Sequence, residues 1–85
     1  MASFSLDIKK SAAKELGDLP REQCARVVTK IQSLAIEPRP YGSEKLSGEE
    51  KYRLRQGVYR VLYEIDDQAK KVTIIKIAHR KEVYR

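Results

Sequence analysis

Three arginines, Arg53, Arg55 and Arg60, are spaced so that they could bind a phosphate group together. Residues 51–56 and 58–65 alternate polar and apolar side chains, which is the period of a β-strand, and on such strands these arginines share one face. Guanidinium groups are planar and always charged, and they bind phosphate oxygens through two parallel hydrogen bonds. The spacing therefore predicts a phosphate-binding face that can also stabilise negative charge developing during a reaction at phosphorus.

The turn between these two strands determines how the arginines face each other. A two-residue turn at 56–57 places Arg53 directly opposite Arg60. Like charges in direct opposition are unfavourable, so their clustering indicates that the protein gains something by binding an anion. An ordinary basic solvent face, with Glu64 and Asp66 as ion-pair partners, is the alternative. The opposite face is apolar and is predicted to pack under helices; it comprises Tyr52, Leu54, Tyr59, Val61, Tyr63 and Ile65.

A final predicted strand adds candidates to the same face. Residues 72–78 are β-branched and apolar, which is typical of a central strand. Lys76 and Arg80 share the parity that points to the arginine side, and Tyr84 follows close enough to fold over it. His79 has the opposite parity. Its ordinary pKa suits acid–base work, so it is either a candidate acid or base or a structural histidine on the core side.

The elements that position these residues can be predicted from periodicity. A short strand over 4–8 precedes a helix over 9–18, a second helix over 20–36 and a loop at 38–42. The predicted order is β-α-α-β-β-β in a single α+β domain over 1–85, with a helical hairpin packed on a small, mostly antiparallel sheet. The apolar stripe of the second helix comprises Cys24, Val27, Val28, Ile31, Leu34 and Ala35.

Composition excludes several classes of protein. The chain has 85 residues, 18 Lys and Arg against 12 Asp and Glu, and a net charge of +6, of which +5 falls in residues 45–85. This excess predicts a polyanionic or acidic partner for the second half of the chain. One cysteine and one histidine can form neither an internal disulfide nor a Cys/His zinc site. With no metal-ligand spacing, long apolar run or signal peptide in view, we expect a cytoplasmic protein without metal or cofactor and without membrane contact.

Two motifs carry a resemblance to a known family. Residues 57–63 read Gly-x-Tyr-Arg-Val-x-Tyr, and residues 79–84 read His-Arg-x-x-Val-Tyr. Over nearly its whole length, the chain resembles the RelE/ParE superfamily of bacterial and archaeal toxins, in its RelE-like branch. The resemblance implies a microbial-ribonuclease-like fold and the toxin of a type II toxin–antitoxin system. Such a toxin inhibits translation by cleaving mRNA in the ribosomal A site, through attack of the 2′-hydroxyl and without a metal.

The resemblance also implies roles for individual residues. Arg60 would stabilise charge on the scissile phosphate, and Arg80 would do the same or assist the leaving 5′-oxygen. Tyr84 would stack on a base or help to remove the 2′-hydroxyl proton. Binding of RNA and the ribosome would fall to Arg53, Arg55, Lys51, Lys76 and Lys81.

One departure from the family pattern concerns proton transfer. The best-known RelE enzymes carry lysines where this chain has Arg53 and Arg55. Lysine can lose its proton in a crowded basic site, whereas arginine, with a pKa above about 12, does not. The identity of the general base therefore stays open, and His79 or Tyr84 would take a larger part in proton transfer.

The implied partners are a cognate acidic RelB-like antitoxin, the ribosome with its mRNA, and operator DNA bound through the toxin–antitoxin complex. Two other functions fit the same fold. One is a ParE-type inhibitor of DNA gyrase with no RNA chemistry, and the other is an attenuated toxin that acts mainly in antitoxin and operator binding. Arg80 and Tyr84 favour the ribonuclease, because the ParE branch generally lacks this pair.

Overall fold

The computed structural model describes residues 3–46 and 50–79. The predicted β-α-α-β-β-β order is confirmed, with one addition, a two-residue strand before the predicted hairpin. Within the described residues, no helix is both long and apolar enough to cross a membrane. The elements are β1 Ser5–Ile8, α1 Lys10–Gly17, α2 Arg21–Ser33, β2 Glu44–Lys45, β3 Lys51–Gln56, β4 Tyr59–Asp66 and β5 Lys71–His79.

The strands form one five-stranded sheet in the order β1-β5-β4-β3-β2. Every neighbouring pair is antiparallel except β1 and β5, which run parallel. The predicted α+β class with a mostly antiparallel sheet is therefore confirmed. The added strand β2 contributes only two residue pairs to the edge of the sheet, Glu44 opposite Arg53 and Lys45 opposite Tyr52.

The core lies between the helices and one face of the sheet, as the alternation predicts. Val27, Ile31 and Leu34 of the α2 stripe are buried against this face. Helix α2 ends at Ser33 rather than at 36, and residues 34 and 35 continue in tighter i→i+3 hydrogen bonds. This agrees with the approach of Pro38, because the residue before a proline disfavours the helical conformation. The buried sheet residues are Tyr52, Leu54, Val61, Tyr63, Ile65, Val72, Ile74 and Ile77.

The predicted hairpin register is wrong by two residues. The turn lies at 57–58, so that Arg55 is opposite Arg60, while Arg53 is opposite Leu62. Gly57 has φ +61°, and a type II′ turn requires glycine at this first central position. Because side chains alternate with a period of two, a shift of two residues leaves every arginine on its predicted face.

Tyr63 fastens the loop after α2 to the sheet. Its side chain is fully buried, and its hydroxyl donates a hydrogen bond of 2.8 Å to the carbonyl oxygen of Pro38. Its ring stacks on that of Tyr52, with centroids 5.8 Å apart. Burial raises the pKa of Tyr63 to about 12. The tyrosine therefore stays neutral in the folded protein at pH values where an exposed tyrosine ionises.

Replacing Tyr63 with Phe is expected to lower the free energy of unfolding at neutral pH by about 1–3 kcal/mol, because the buried Pro38 carbonyl loses its donor. In the parent, the stability that comes from the neutral phenol is complete below pH 10.0, the ordinary pKa, and is lost as the pH rises through about 12. Denaturant unfolding measured between pH 8 and 12 checks both effects. Equal pH dependence in parent and variant would contradict this account.

Candidate nucleic-acid interface

A groove of about 450 Å³ lies beside β2 and β3, and we call it the arginine groove. It brings Arg53, Arg55 and Arg60 together on one face, as strand alternation predicts. It also includes Lys30 from α2, which sequence reasoning missed because the helix is distant in the chain. The lining residues are Lys30, Tyr41, Gly42, Ser43, Glu44, Arg53, Leu54, Arg55 and Arg60.

Arg60 is buried, although the sequence places it on the face of the sheet opposite the core. It is 3% exposed and lies on β4, between Arg55 of β3 and Ala78 of β5. Alternation assigns a side chain to a face of the sheet, but it does not show how deeply the neighbouring side chains cover it. Around a buried guanidinium the effective dielectric constant is lower, so its attraction for an anion is stronger than that of an exposed arginine. Arg55 is exposed, and the Arg53 side chain is 25% exposed.

Glu44 places a carboxylate inside this cluster of cations. It lies opposite Arg53 across β2 and β3, and the Nη2 of Arg53 donates to its Oε1 at 2.8 Å. This hydrogen bond, together with the nearby charges of Arg53, Arg55 and Arg60, lowers the pKa of Glu44. The carboxylate thus acts as a resident anion in the arginine groove. A two-residue strand leaves no periodic signal, so the sequence alone did not reveal this pairing.

Replacing Glu44 with Gln is expected to strengthen binding of pyrophosphate to the arginine groove about threefold to tenfold, because Arg53 is released from an ion pair. Calorimetric titration at low salt measures this affinity. Glu22→Gln is the matched control, since it removes the same charge from an exposed ion pair with Arg26 on α2, outside the groove. If both variants bind pyrophosphate equally, Glu44 does not compete for the arginines.

The two predicted binding lysines of the described residues lie outside the arginine groove. Lys51 is opposite Glu64 and lines a second groove, together with the acidic side chains of Glu50, Glu64, Asp66 and Asp67. Lys76 donates to Glu15 of α1, with Nζ and Oε2 2.9 Å apart. Both lysines therefore have carboxylate neighbours away from the arginines.

His79 lies on the core side, as its parity predicts. It is half-buried, and its ring meets that of Tyr59 edge to face, with centroids 5.7 Å apart. This contact agrees with a structural role. The other predicted residues of this segment, Arg80, Lys81 and Tyr84, lie outside the described residues. Among residues 3–46 and 50–79, no group of three His, Cys, Asp or Glu side chains could hold a metal ion.

Arg39 organises the loop that leads into the arginine groove, and sequence reasoning missed it. Its Nε donates to the hydroxyl of Tyr52 at 2.8 Å, and its Nη2 donates to Asp67 at 2.8 Å and to Glu50 at 3.0 Å. The guanidinium lowers the pKa of Asp67, while Lys45 and Arg39 lower that of Glu50. One side chain thereby connects the loop, β3 and the turn between β4 and β5.

Comparison with known proteins establishes the family. Residues 6–84 match the family model described as the ParE toxin of the type II toxin–antitoxin system parDE. The chain belongs to the RelE/ParE family of type II toxins. It is 33% identical over 86 residues to Toxin RelG of Mycobacterium tuberculosis, an alignment that covers 96% of this chain and 97% of the relative.

Solved structures of RelE-type toxins agree with the assignment of this chain to the RelE/ParE family. The RelBE2 toxin–antitoxin complex of Mycobacterium tuberculosis superposes with a TM-score of 0.80 at 31% identity, over 92% of this chain and 99% of that one. The archaeal RelE–RelB complex from Pyrococcus horikoshii gives 0.81 at 28% identity, over 92% and 96%. The RelE-like resemblance and the RelE fold are therefore confirmed.

Proposed function

We propose that this toxin is a metal-independent endoribonuclease that cleaves mRNA in the ribosomal A site. The observation that carries the proposal is the arginine groove, in which the buried Arg60 lies beside the more exposed Arg53 and Arg55. A fixed cation surrounded by cations of higher exposure is suited to a phosphodiester. The names of the relatives, RelG and RelE, agree with the ribonuclease branch.

The reaction needs charge stabilisation more than any other contribution. The 2′-oxygen forms a bond to phosphorus and the bond to the 5′-oxygen breaks, which leaves a 2′,3′-cyclic phosphate and a 5′-hydroxyl. Negative charge grows on the non-bridging oxygens, and preorganised donors such as the Arg60 guanidinium stabilise it. Arg80 acts in the same way or assists the leaving oxygen. The 2′-hydroxyl loses one proton, and the 5′-oxygen gains one.

The proton from the 2′-hydroxyl requires a base, and the described candidates are poorly suited to this role. The lowered pKa of Glu44 makes it a weak base, and His79 packs against Tyr59 on the core side. We therefore propose that Tyr84 helps to remove this proton. Its alternative role is to stack on an RNA nucleobase.

The remaining cations bind RNA without taking part in bond cleavage. Arg53 and Arg55 contact phosphates next to the scissile one, so their contribution weakens as salt rises. Ribosomal RNA is the proposed partner of the outlying lysines. These are Lys51, Lys76 and Lys81.

An acidic antitoxin is the proposed partner of the free toxin. Two similar solved complexes pair a RelE-type toxin with a RelB-type antitoxin. The net charge of +5 in residues 45–85 favours an acidic chain that covers the arginine groove and the α2 surface beside it. Such a complex would also bring the toxin to operator DNA. An antitoxin that abolishes toxicity but leaves the arginines open would contradict masking.

Cleavage by the purified toxin on ribosomes programmed with mRNA tests the proposed function. We expect cuts within the A-site codon, with a cyclic phosphate on one product and a 5′-hydroxyl on the other, and far slower cleavage of the same mRNA without ribosomes. The family model carries the ParE name, so supercoiling by purified DNA gyrase is the parallel assay. Inhibited supercoiling with intact mRNA would replace our proposal with a gyrase inhibitor.

A further inference from the structure

Tyr41 presents a fully exposed aromatic ring at the arginine groove. Its relative exposure is 106%, and it lines the groove together with the arginines. Four large apolar side chains are exposed among residues 3–46 and 50–79, namely Leu6, Ile36, Tyr41 and Val58. Tyr41 has the highest exposure of the four and is the aromatic one. No packing against the described part of the chain accounts for the position of this ring.

The backbone holds this ring at the corner of a turn. The amide of Ser43 donates to the carbonyl oxygen of Pro40 at 3.0 Å, so Tyr41 and Gly42 are the two central residues of a β-turn. Gly42 has φ +95°, in the left-handed region that a type II turn requires at this position. The preceding proline restricts the backbone further.

The residues before the turn are fastened to the sheet. The carbonyl oxygen of Pro38 accepts the hydrogen bond from the buried Tyr63, and Arg39 bonds to Tyr52 and Asp67. These contacts fix the path of the chain up to Tyr41. Binding of a ligand to this ring would therefore cost the protein less conformational entropy than binding to a mobile loop, because the loop is already ordered.

We propose that Tyr41 is a stacking platform for an unpaired RNA base whose phosphate is held in the arginine groove. The inference rests on the proposed function and adds a residue that positions the substrate. Single-stranded RNA offers a flat base next to a phosphate, and proteins bind it with an aromatic ring beside arginines or lysines. The four cations that line the groove with Tyr41 (Lys30, Arg53, Arg55 and Arg60) favour RNA over an apolar protein segment.

The test is single-turnover cleavage on programmed ribosomes, with each A-site nucleotide replaced in turn by an abasic one. Tyr41→Ala is expected to slow cleavage of normal mRNA about fivefold to a hundredfold, and Tyr41→Phe is expected to keep most of the activity. At one position, the abasic substitution should slow the parent but not slow Tyr41→Ala further, because both changes remove the same contact. Ile36→Ala, which removes an exposed apolar side chain outside the groove, should cleave like the parent.

The possible outcomes separate the two proposals. If the parent cleaves mRNA and Tyr41→Ala cleaves it at the same rate, the stacking platform is overturned but the proposed function is not. The same holds if the effects of Tyr41→Ala and the abasic nucleotides simply add at every position. If Tyr41→Ala cleaves normally but binds the antitoxin more weakly, the ring belongs to a protein interface and the inference is wrong. A parent that cleaves no mRNA overturns the proposed function and this inference with it.

Discussion

Replacing Arg60 with Met is expected to slow mRNA cleavage on programmed ribosomes about 10²–10³-fold, the usual effect of removing one donor that stabilises the charge of a transition state. Methionine keeps an unbranched stem of similar length at a position that is 3% exposed, and it removes the charge. Arg60→Lys restores the charge without the planar pair of donors, so its cleavage rate should lie between those of the parent and Arg60→Met. Single-turnover rates of the three proteins measure the effect.

Arg60 is buried, so loss of activity must be separated from loss of structure. Thermal unfolding of parent and variant provides this control, and only a variant that melts well above the assay temperature is informative. Arg55→Ala is the matched variant, because Arg55 lies directly opposite Arg60 but is exposed. The difference between Arg55→Ala and the parent should shrink as salt rises, because salt weakens the phosphate contact that the variant lacks. If folded Arg60→Met arrests growth like the parent at equal expression, the arginine groove is not the catalytic site.

Replacing Tyr84 separates stacking from proton transfer. Tyr84→Ala removes ring and hydroxyl, and Tyr84→Phe removes the hydroxyl alone. If the hydroxyl helps to remove the 2′-proton, both variants should be nearly inactive, with losses of about 10²-fold or more. If the ring stacks on a base, Tyr84→Phe keeps most of the activity and Tyr84→Ala loses the equivalent of about 1–3 kcal/mol. Single-turnover cleavage measures both variants.

Thermal stability and antitoxin binding are the controls for this pair of variants, and neither should change appreciably. Cleavage by Tyr84→Ala at the parental rate would exclude Tyr84 from the reaction. The ribonuclease proposal would then lose one of the two residues that distinguish it from the ParE branch.

Local patterns predicted the faces of the sheet better than they predicted its pairing. Alternation over β3 and β4 placed Arg53 and Arg55 on one face and Tyr52 and Leu54 in the core, because it depends only on the period of the strand. The register failed because glycine fits more than one position of a two-residue turn. The error of two residues preserved the faces, but it paired Arg60 with the wrong arginine.

Features that depend on distant parts of the chain were not predictable. The burial of Arg60 depends on side chains that surround it from other elements, and the ion pair of Glu44 with Arg53 follows from a strand of two residues. Arg39 lies between two prolines and shows no periodicity, yet it joins three elements. Exposed Tyr41 looked like an ordinary loop residue until the groove beside it was known.

This chain has arginines at positions 53 and 55, where the best-known RelE enzymes have lysines. We expect this difference to affect how fast the toxin cleaves mRNA. The side chains of Arg53 and Arg55 can both hold a phosphate, but an arginine does not exchange a proton near neutral pH. The groove is therefore expected to act as a phosphate-binding surface around Arg60, which is the catalytic cation among the described residues. Proton transfer then depends on a group beyond the described residues, for which Tyr84 is the candidate.

Primer-extension mapping of cellular transcripts after induction of the toxin tests the central claim most directly. The ribonuclease account predicts new 5′ ends inside translated codons within minutes of induction, and it predicts their absence when Arg60→Met is induced to the same level. A control transcript without a start codon should remain intact, because cleavage requires the ribosome. Intact translated transcripts accompanied by DNA-damage signalling would contradict the account and identify a gyrase inhibitor.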